Sequence, residues 1–152
     1  MLLTAHLLTG AFIGKESGSI PIAIFLGLLS HYLLDSIPHN DGPDDGKKIV
    51  DGKYSKSQYI LVFCDLSLSV LIFCFLFIHG SLNLNVVFGA VGAIIPDLME
   101  QVYFLNNLLM RSIFFKKVLF FHNFIQKNNR VNIYLGLGIQ YIISLLFFFL
   151  II

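Results

Sequence analysis

The sequence predicts an all-α protein, a polytopic membrane helix bundle that forms a single domain over residues 1–152. Of the 152 residues, 57% are hydrophobic and 12% are charged, and the mean hydropathy is +0.82. Soluble domains carry about 45–50% apolar and about 25% charged residues. Sixteen Phe and no Trp also suit a lipid-facing surface better than an aqueous core. The net charge of +1 gives no field that would attract nucleic acid.

Five apolar segments are the predicted spans: 2–14, 20–37, 58–79, 84–105 and 132–152. A bilayer core of about 30 Å needs about 20 helical residues, a length that the third and fifth segments reach comfortably. The first segment covers only about 21 Å at 1.5 Å per residue, so a re-entrant or tilted helix stays open for it. It lacks a positive n-region and contains His6, so we interpret it as a retained first helix rather than a signal peptide.

The region 106–131 is predicted to be an amphipathic helix in the membrane interface. Its cations include Lys116 and Lys117, and burying each near the membrane centre would cost roughly 2.5–3.5 kcal/mol. An interfacial helix keeps these cations in water while its aromatic side chains enter the lipid. Those side chains are Phe114, Phe115, Phe120 and Phe121.

If all five segments cross, the loop 38–57 and the region 106–131 lie on one side. That side then carries nine Lys or Arg residues, and the other carries only Lys15. The positive-inside rule places the N-terminus in the cytoplasm.

The five-residue link KESGS is short enough that the first two helices should pack as an antiparallel hairpin. Cys64 and Cys74 are expected to be buried thiols about 15 Å apart along one helix.

The ionisable residues gather on the cytoplasmic side of this topology. His31 and Asp35 are one turn apart, His39 follows after Pro38, and the segment PDLME places Asp97 and Glu100 on one face of the fourth helix. His, Asp and Glu at these spacings are typical ligands for zinc or another divalent cation, because one helix face can offer two donors. His6, early in the first helix, and His122, in the interfacial helix, lie on the same side.

Each of these residues also has an interpretation without chemistry. The His31–Asp35 pair would then be a buried hydrogen bond that locks the second helix, and Asp65 would be satisfied by a neighbouring serine or histidine. Their joint position on one side favours a site. Asp65 and Glu100 are then the candidate general bases or orienting groups. His79 falls on the opposite side and is expected to have no chemical role.

Several known motifs are absent. Aligned on an EF-hand loop from Asp41, the loop 38–57 places Pro43 and Gly52 where an acid and a Glu are needed. The chain has no P-loop, no dinucleotide fingerprint and no G-x-S-x-G segment. A calcium loop of this type and a serine hydrolase are therefore unsupported.

The segments TAHLLTGAFIG, GLLSHYLLDSIPHND, GAIIPDLMEQ and FFHNFIQ resemble the motifs of bacterial predicted membrane-bound metal-dependent hydrolases. These are small multi-helix inner-membrane proteins with an early His, an SH-x-L-x-D block and an LPD-type block. The chain is more distantly similar to all-helical zinc-dependent phospholipase C. It departs from the family in the order of its blocks, and Gln126 stands where an HxxxH or HxxxE pair would be expected. The N-terminal ligand of the phospholipase has no counterpart here.

The resemblance nominates six metal ligands: His6, His31, Asp35, His39, Asp97 and His122. It implies hydrolysis of a phosphoester, such as a lipid headgroup, by a divalent metal, with zinc favoured by the ligand set. It also implies a multi-pass location in the bacterial inner membrane. Two alternatives stay open from the residues alone. One is a metal or proton transporter in which Asp65 marks an ion path. The other is a structural membrane protein whose polar groups only fix helix packing.

Overall fold

The computed structural model describes residues 1–40, 56–101, 112–128 and 130–152. These residues form six helices, and the only bridge of strand type among them joins His39 and Arg130. The fold is therefore all-α, as predicted. The helices are α1 (Leu3–Glu16), α2 (Ile20–Asp35), α3 (Lys56–Ile78), α4 (Leu84–Gln101), α5 (Ile113–Asn128) and α6 (Ile133–Ile151).

Helices α1, α2 and α4 form the centre of the molecule, and each packs against the other two. Glycines permit this close packing. A Cβ added at Gly10 or Gly27 would collide with the backbone carbonyl of Gly89, and one at Gly92 would collide with that of Ile24. Small residues let helix backbones approach closely where lipid gives no hydrophobic force between them. As predicted, the short link after α1 lets α1 and α2 pack against each other.

Helix α6 is attached to this centre by polar contacts near its middle and at its C-terminal end. Gln140 is fully buried, and its side chain accepts a hydrogen bond from the Leu2 amide (2.5 Å) and donates to the Asn40 carbonyl (2.9 Å). Lys15 Nζ donates to the carbonyls of Leu150 and Ile151 (2.9 and 2.8 Å). A lysine at this position complements the negative end of the α6 dipole.

Two helices in the described part of the chain are long and apolar enough to cross a membrane, within Tyr59–Ile78 and Ile133–Ile151. The helices Ile20–Asp35 and Leu84–Met99 are apolar but shorter. Five spans were predicted, so length and composition support only part of that topology. Most of the loop 38–57 and the start of the region 106–131 lie outside the described residues.

Cys64 and Cys74 are both exposed, so the prediction that they are buried was wrong. The reason is that α3 contacts the centre of the molecule mainly through α1 and leaves most of its surface uncovered. Helix α5 exposes Phe114, Phe120 and Phe121. Its opposite side packs against α2 and α4.

A candidate metal centre at one end of the bundle

The structure brings all six predicted metal ligands together at one end of the bundle. Three helices begin or end there, since His6 is near the start of α1 while Asp35 and Asp97 are near the ends of α2 and α4. The side chains are almost completely buried, with 0–1% exposure for all but Asp97, which is 13% exposed. The six residues are His6, His31, Asp35, His39, Asp97 and His122.

Four donor atoms form the tightest part of the cluster. His31 Nε2 lies 2.9 Å from His122 Nε2, and these two nitrogens lie 3.2 and 3.0 Å from Asp35 Oδ2. Asp97 Oδ1 is 3.7 Å from each of the two nitrogens. His31 and His122 therefore lie close to both carboxylates, and these donors come from three different helices, α2, α4 and α5.

These separations match those around a bound metal ion. Donor atoms at about 2.0–2.1 Å from a tetrahedral ion lie about 3.3 Å from one another. The observed separations of 2.9–3.7 Å bracket that value. Buried groups of His31 with Asp97 and His122, and of His6 with His31 and Asp35, could each hold an ion.

The hydrogen bonding of His31 fixes which of its nitrogens can act as a ligand. Its Nδ1 lies 2.7 Å from the Ala93 carbonyl oxygen, which can only accept, so Nδ1 carries the proton. In a neutral imidazole, Nε2 then presents a lone pair to the carboxylates of Asp35 and Asp97. Lone pairs that face carboxylate oxygens repel unless a proton or a cation lies between them. A backbone carbonyl that accepts a hydrogen bond from the other ring nitrogen, as that of Ala93 does here, is typical of a metal-ligating histidine.

His39 is oriented in the same way. Its Nδ1 donates to the Ile37 carbonyl (2.8 Å), and its Nε2 lies 3.8 Å from Asp35 Oδ1. The segment that carries His39 is held by α6 and by Val131, which precedes α6. The Asn40 side chain donates to the Val131 carbonyl (2.7 Å), and Gln140 of α6 donates to the Asn40 carbonyl. These contacts position the His39 ring against the cluster.

The electrostatics of the helix ends also favour a cation. Asp35 is the last residue of α2, and Asp97 lies one turn before the end of α4. A helix C-terminus carries roughly half a negative charge, which adds to that of the carboxylate. The α-ammonium of Met1 lies 3.0 Å from Asp35 Oδ1 and supplies positive charge there in this structure.

Gln126 is a member of the site that the sequence did not nominate. Its Nε2 lies 3.1 Å from His122 Nε2 and 3.4 Å from Asp35 Oδ2. The i,i+4 spacing from His122 is the signal for it in the sequence, although an amide departs from the HxxxH or HxxxE pair that the motif predicts. The Ala93 carbonyl carries no signal in a sequence, because every residue has a carbonyl.

Of the two candidate catalytic carboxylates, Asp65 has a structural role. Asp65 accepts hydrogen bonds from the amides of Leu3 (2.6 Å) and Thr4 (3.2 Å), so it caps the start of α1. Glu100 lies in α4 one turn beyond Asp97, and its side chain is outside the described part of the structure. The exposed His79 lies at the far end of α3, away from the cluster.

An apolar cavity of about 220 Å³ lies directly beside the cluster. His122 and Tyr32 form the part of its wall nearest the metal ligands, and apolar side chains of α2, α4 and α5 form the rest. An engineered cavity of about 150 Å³ can hold a benzene molecule. This cavity therefore has room for a short stretch of an alkyl chain.

Comparisons with known proteins provide no relative: no family model, no curated protein and no solved structure matches this chain. The structure thus defines an all-α chain with two apolar helices long enough to span a membrane and a buried His/Asp cluster that could hold a metal ion.

Proposed function

We propose that this chain is a multi-pass membrane protein that hydrolyses a phosphoester, such as a lipid headgroup, with a divalent cation. The convergence of His31 Nε2 and His122 Nε2 on Asp35 Oδ2 (3.2 and 3.0 Å) and on Asp97 Oδ1 (3.7 Å each) carries the proposal. The motif resemblance to bacterial membrane-bound metal-dependent hydrolases supports it. A cation held there would activate water and polarise a phosphoryl oxygen. Zinc suits this donor set best.

The membrane location rests on where the apolar surface lies. Only 11% of the apolar stretch in Tyr59–Ile78 and 17% of that in Ile133–Ile151 is buried within the chain. Large apolar faces of this kind need lipid or a partner to cover them. Together with α1, α2 and α4, these helices would make the five spans, with the N-terminus in the cytoplasm of a bacterial inner membrane.

The residues around the cation would then have different roles. His31, His122, Asp35 and Asp97 hold it. The cavity beside His122 receives the apolar part of an amphiphilic substrate, and the exposed Lys116 and Lys117 of α5 attract anionic headgroups to that side. Glu100, one turn after Asp97 in α4, is the remaining candidate base, since Asp65 is engaged with the start of α1.

A second candidate is a metal-binding protein without catalysis. Structural zinc sites are typically closed by four protein ligands, whereas catalytic sites keep a position for water. The four donors that meet here are at most 13% exposed, which favours a closed site. This candidate predicts that metal raises thermal stability while phosphoesters stay intact.

Metal content and lipid hydrolysis in one preparation test both candidates. Protein purified in detergent and loaded with zinc or manganese should retain metal after desalting and release headgroup phosphate from phospholipid. His122→Ala removes a donor and should lower turnover by at least about 100-fold, since loss of a group that only orients a ligand already costs about 10–100-fold. His79→Ala removes an exposed histidine far from the cluster and should change neither quantity.

The outcomes separate the candidates. Bound metal with no turnover on any phosphoester would leave the non-catalytic site. No bound metal under saturating zinc or manganese would refute both candidate functions. The cluster would then be a set of hydrogen bonds that only holds the helices together.

A further inference from the structure

We propose that the apolar cavity beside the cluster determines the ligand of this site, which is a phosphate ester that carries a single alkyl chain. The chain would lie in the cavity, and the phosphate would lie at the cation on the other side of His122. The proposal rests on the proposed function and deepens it, because that function does not state what the phosphoester carries. The shape, the lining and the position of the cavity support it.

The cavity has the dimensions of one alkyl chain. Its wall on α5 runs from Phe114 to His122, which is about 12 Å along the helix at 1.5 Å per residue. A volume of about 220 Å³ over that length gives a mean cross-section of about 18 Å². One extended alkyl chain fills such a cross-section, and two chains side by side exceed it. Scaled from a cavity of about 150 Å³ that holds benzene, this cavity has room for about nine carbons.

The lining of the cavity suits a chain and does not suit a polar headgroup. Helix α4 contributes Ile95, Pro96 and Met99, and α2 contributes Leu28 together with Tyr32. No Lys, Arg, Asp or Glu is found among the described residues of this wall. A sugar or amine headgroup placed here would leave most of its hydrogen-bonding groups without partners. Each methylene that leaves water for such a wall gains about fourfold in affinity.

His122 connects the cavity to the metal cluster. Its ring forms part of the cavity wall, and its Nε2 lies 3.0 Å from Asp35 Oδ2. The ring of Tyr32 meets that of His122 edge-on, with an interplanar angle of 89° and centroids 6.0 Å apart, so Tyr32 lies at the same junction. A phosphate bound to a cation at His122 would therefore be next to the cavity. A chain attached to its ester oxygen would enter the cavity directly.

The first test is a binding measurement that needs no turnover. Alkylphosphonates resist hydrolysis because their phosphorus is bonded to carbon, so they report on binding alone. Zinc-loaded protein should bind n-octylphosphonate more tightly than methylphosphonate in isothermal titration calorimetry. The protein is kept in a steroid-based detergent, since the tail of an alkyl detergent would compete for the cavity.

Val118→Phe fills part of the cavity and should weaken the binding of n-octylphosphonate by at least about tenfold, the effect of displacing two methylenes. Binding of methylphosphonate should not change. Val62→Phe is the matched control, because Val62 is 53% exposed on the apolar surface of α3, and it should leave both affinities unchanged.

Phe115→Ala is a second variant that acts in the opposite direction. It removes a large side chain from the cavity wall, so it should raise the affinity for n-dodecylphosphonate relative to that for n-octylphosphonate. This variant keeps the test decisive even if Val118→Phe fails to fold. An unchanged chain-length preference in the variants that fold would overturn the proposal.

Turnover separates this proposal from the proposed hydrolysis. Octyl phosphate, with one chain, should be hydrolysed faster than dioctanoyl phosphatidate, which has two chains of the same length. Chain-dependent phosphonate binding without hydrolysis of either compound would retain the chain site and refute the proposed function. Faster hydrolysis of the two-chain compound, unchanged in Val118→Phe, would retain the function and overturn the single-chain ligand.

Discussion

Asp65 shows how a carboxylate expected at membrane depth can serve the fold. Helix α1 has no capping side chain of its own at Leu2. Asp65 reaches it from α3, with its oxygens accepting from the amides of Leu3 and Thr4 and from the Thr4 hydroxyl (2.5 Å). The first amides of a helix have no intrahelical partners and lie at the positive end of its dipole. Asp65 therefore fixes the end of α1 from which His6 projects.

Replacing Asp65 should destabilise the protein through this cap. Asp65→Ala is expected to lower the free energy of unfolding by about 1.5–3 kcal/mol, the range for hydrogen bonds to a charged group. Asp65→Asn keeps an acceptor oxygen and should lose less. Unfolding in a mixed-micelle denaturant series, followed by circular dichroism, measures both.

Ser67→Ala is the control, because among the described residues the Ser67 hydroxyl donates only to the carbonyl of Phe63 in its own helix (2.7 Å). If Asp65→Asn instead kept full stability and bound metal but lost hydrolysis, Asp65 would be the general base that the sequence suggested.

At the scale of the helices, the metal cluster depends on how closely α1, α2 and α4 pack. Gly89 of α4 is central to this contact, because a Cβ there would meet the backbone of Gly10 and lie 2.8 Å from Gly14 Cα. Both contacts are with backbone atoms, which cannot rotate away. His6 and Asp97 are carried by the two helices concerned, so their separation is set by this glycine contact.

Gly89→Ala should therefore separate α1 from α4. The expected loss of stability is about 1–3 kcal/mol, the usual cost of overpacking, and bound metal should fall because the donors move apart. Gly138→Ala is the matched control in α6. A Cβ there meets nothing within 4 Å, so it should be neutral or stabilise by up to about 1 kcal/mol.

Thermal unfolding and metal content of the two variants provide the comparison. Equal stability of Gly89→Ala and Gly138→Ala would show that the helices do not pack through these glycines.

At the scale of the whole molecule, the apolar surface of α3 and α6 determines the environment of the chain. Side chains such as Phe77 and Ile78 are 74% and 85% exposed. In water this surface would drive aggregation, whereas in a bilayer it is solvated by lipid. Cys64 and Cys74 lie on this exposed surface and are natural reporters, since they are the only two cysteines of the sequence.

If α3 spans the membrane, a charged maleimide should leave both cysteines unlabelled in intact vesicles and label them after denaturation. The thiolate is the form that reacts with maleimide, and apolar surroundings such as lipid disfavour its formation. A cysteine introduced by Ser81→Cys in the turn after α3 should be labelled from the outside of the cell in the proposed orientation. Mass spectrometry of the labelled protein measures both effects.

Rapid labelling of Cys64 and Cys74 in intact vesicles would place α3 in water. Labelling of Ser81→Cys only in inside-out vesicles would show that the chain has the opposite orientation, with the turn after α3 in the cytoplasm.

Much of the architecture followed from local information. The apolar segments became helices where predicted, because hydropathy and helical length are properties of consecutive residues. The exposure of Cys64 and Cys74 did not follow, since it depends on which helices pack against α3. The number of membrane spans does not follow from helix length either, because α1, α2 and α4 are short.

The helical class, the apolar surface and the residue types of the cluster follow from the order of the residues alone. His31, Asp35 and Asp97 can be nominated because i,i+3 and i,i+4 spacings place side chains on one face. The packing of the helices is needed to bring His122 within 2.9 Å of His31, 91 residues earlier in the chain, to place Gln126 beside them and to make Asp65 the cap of α1. Periodicity fixes the face on which a side chain lies, whereas helix packing decides what that face meets.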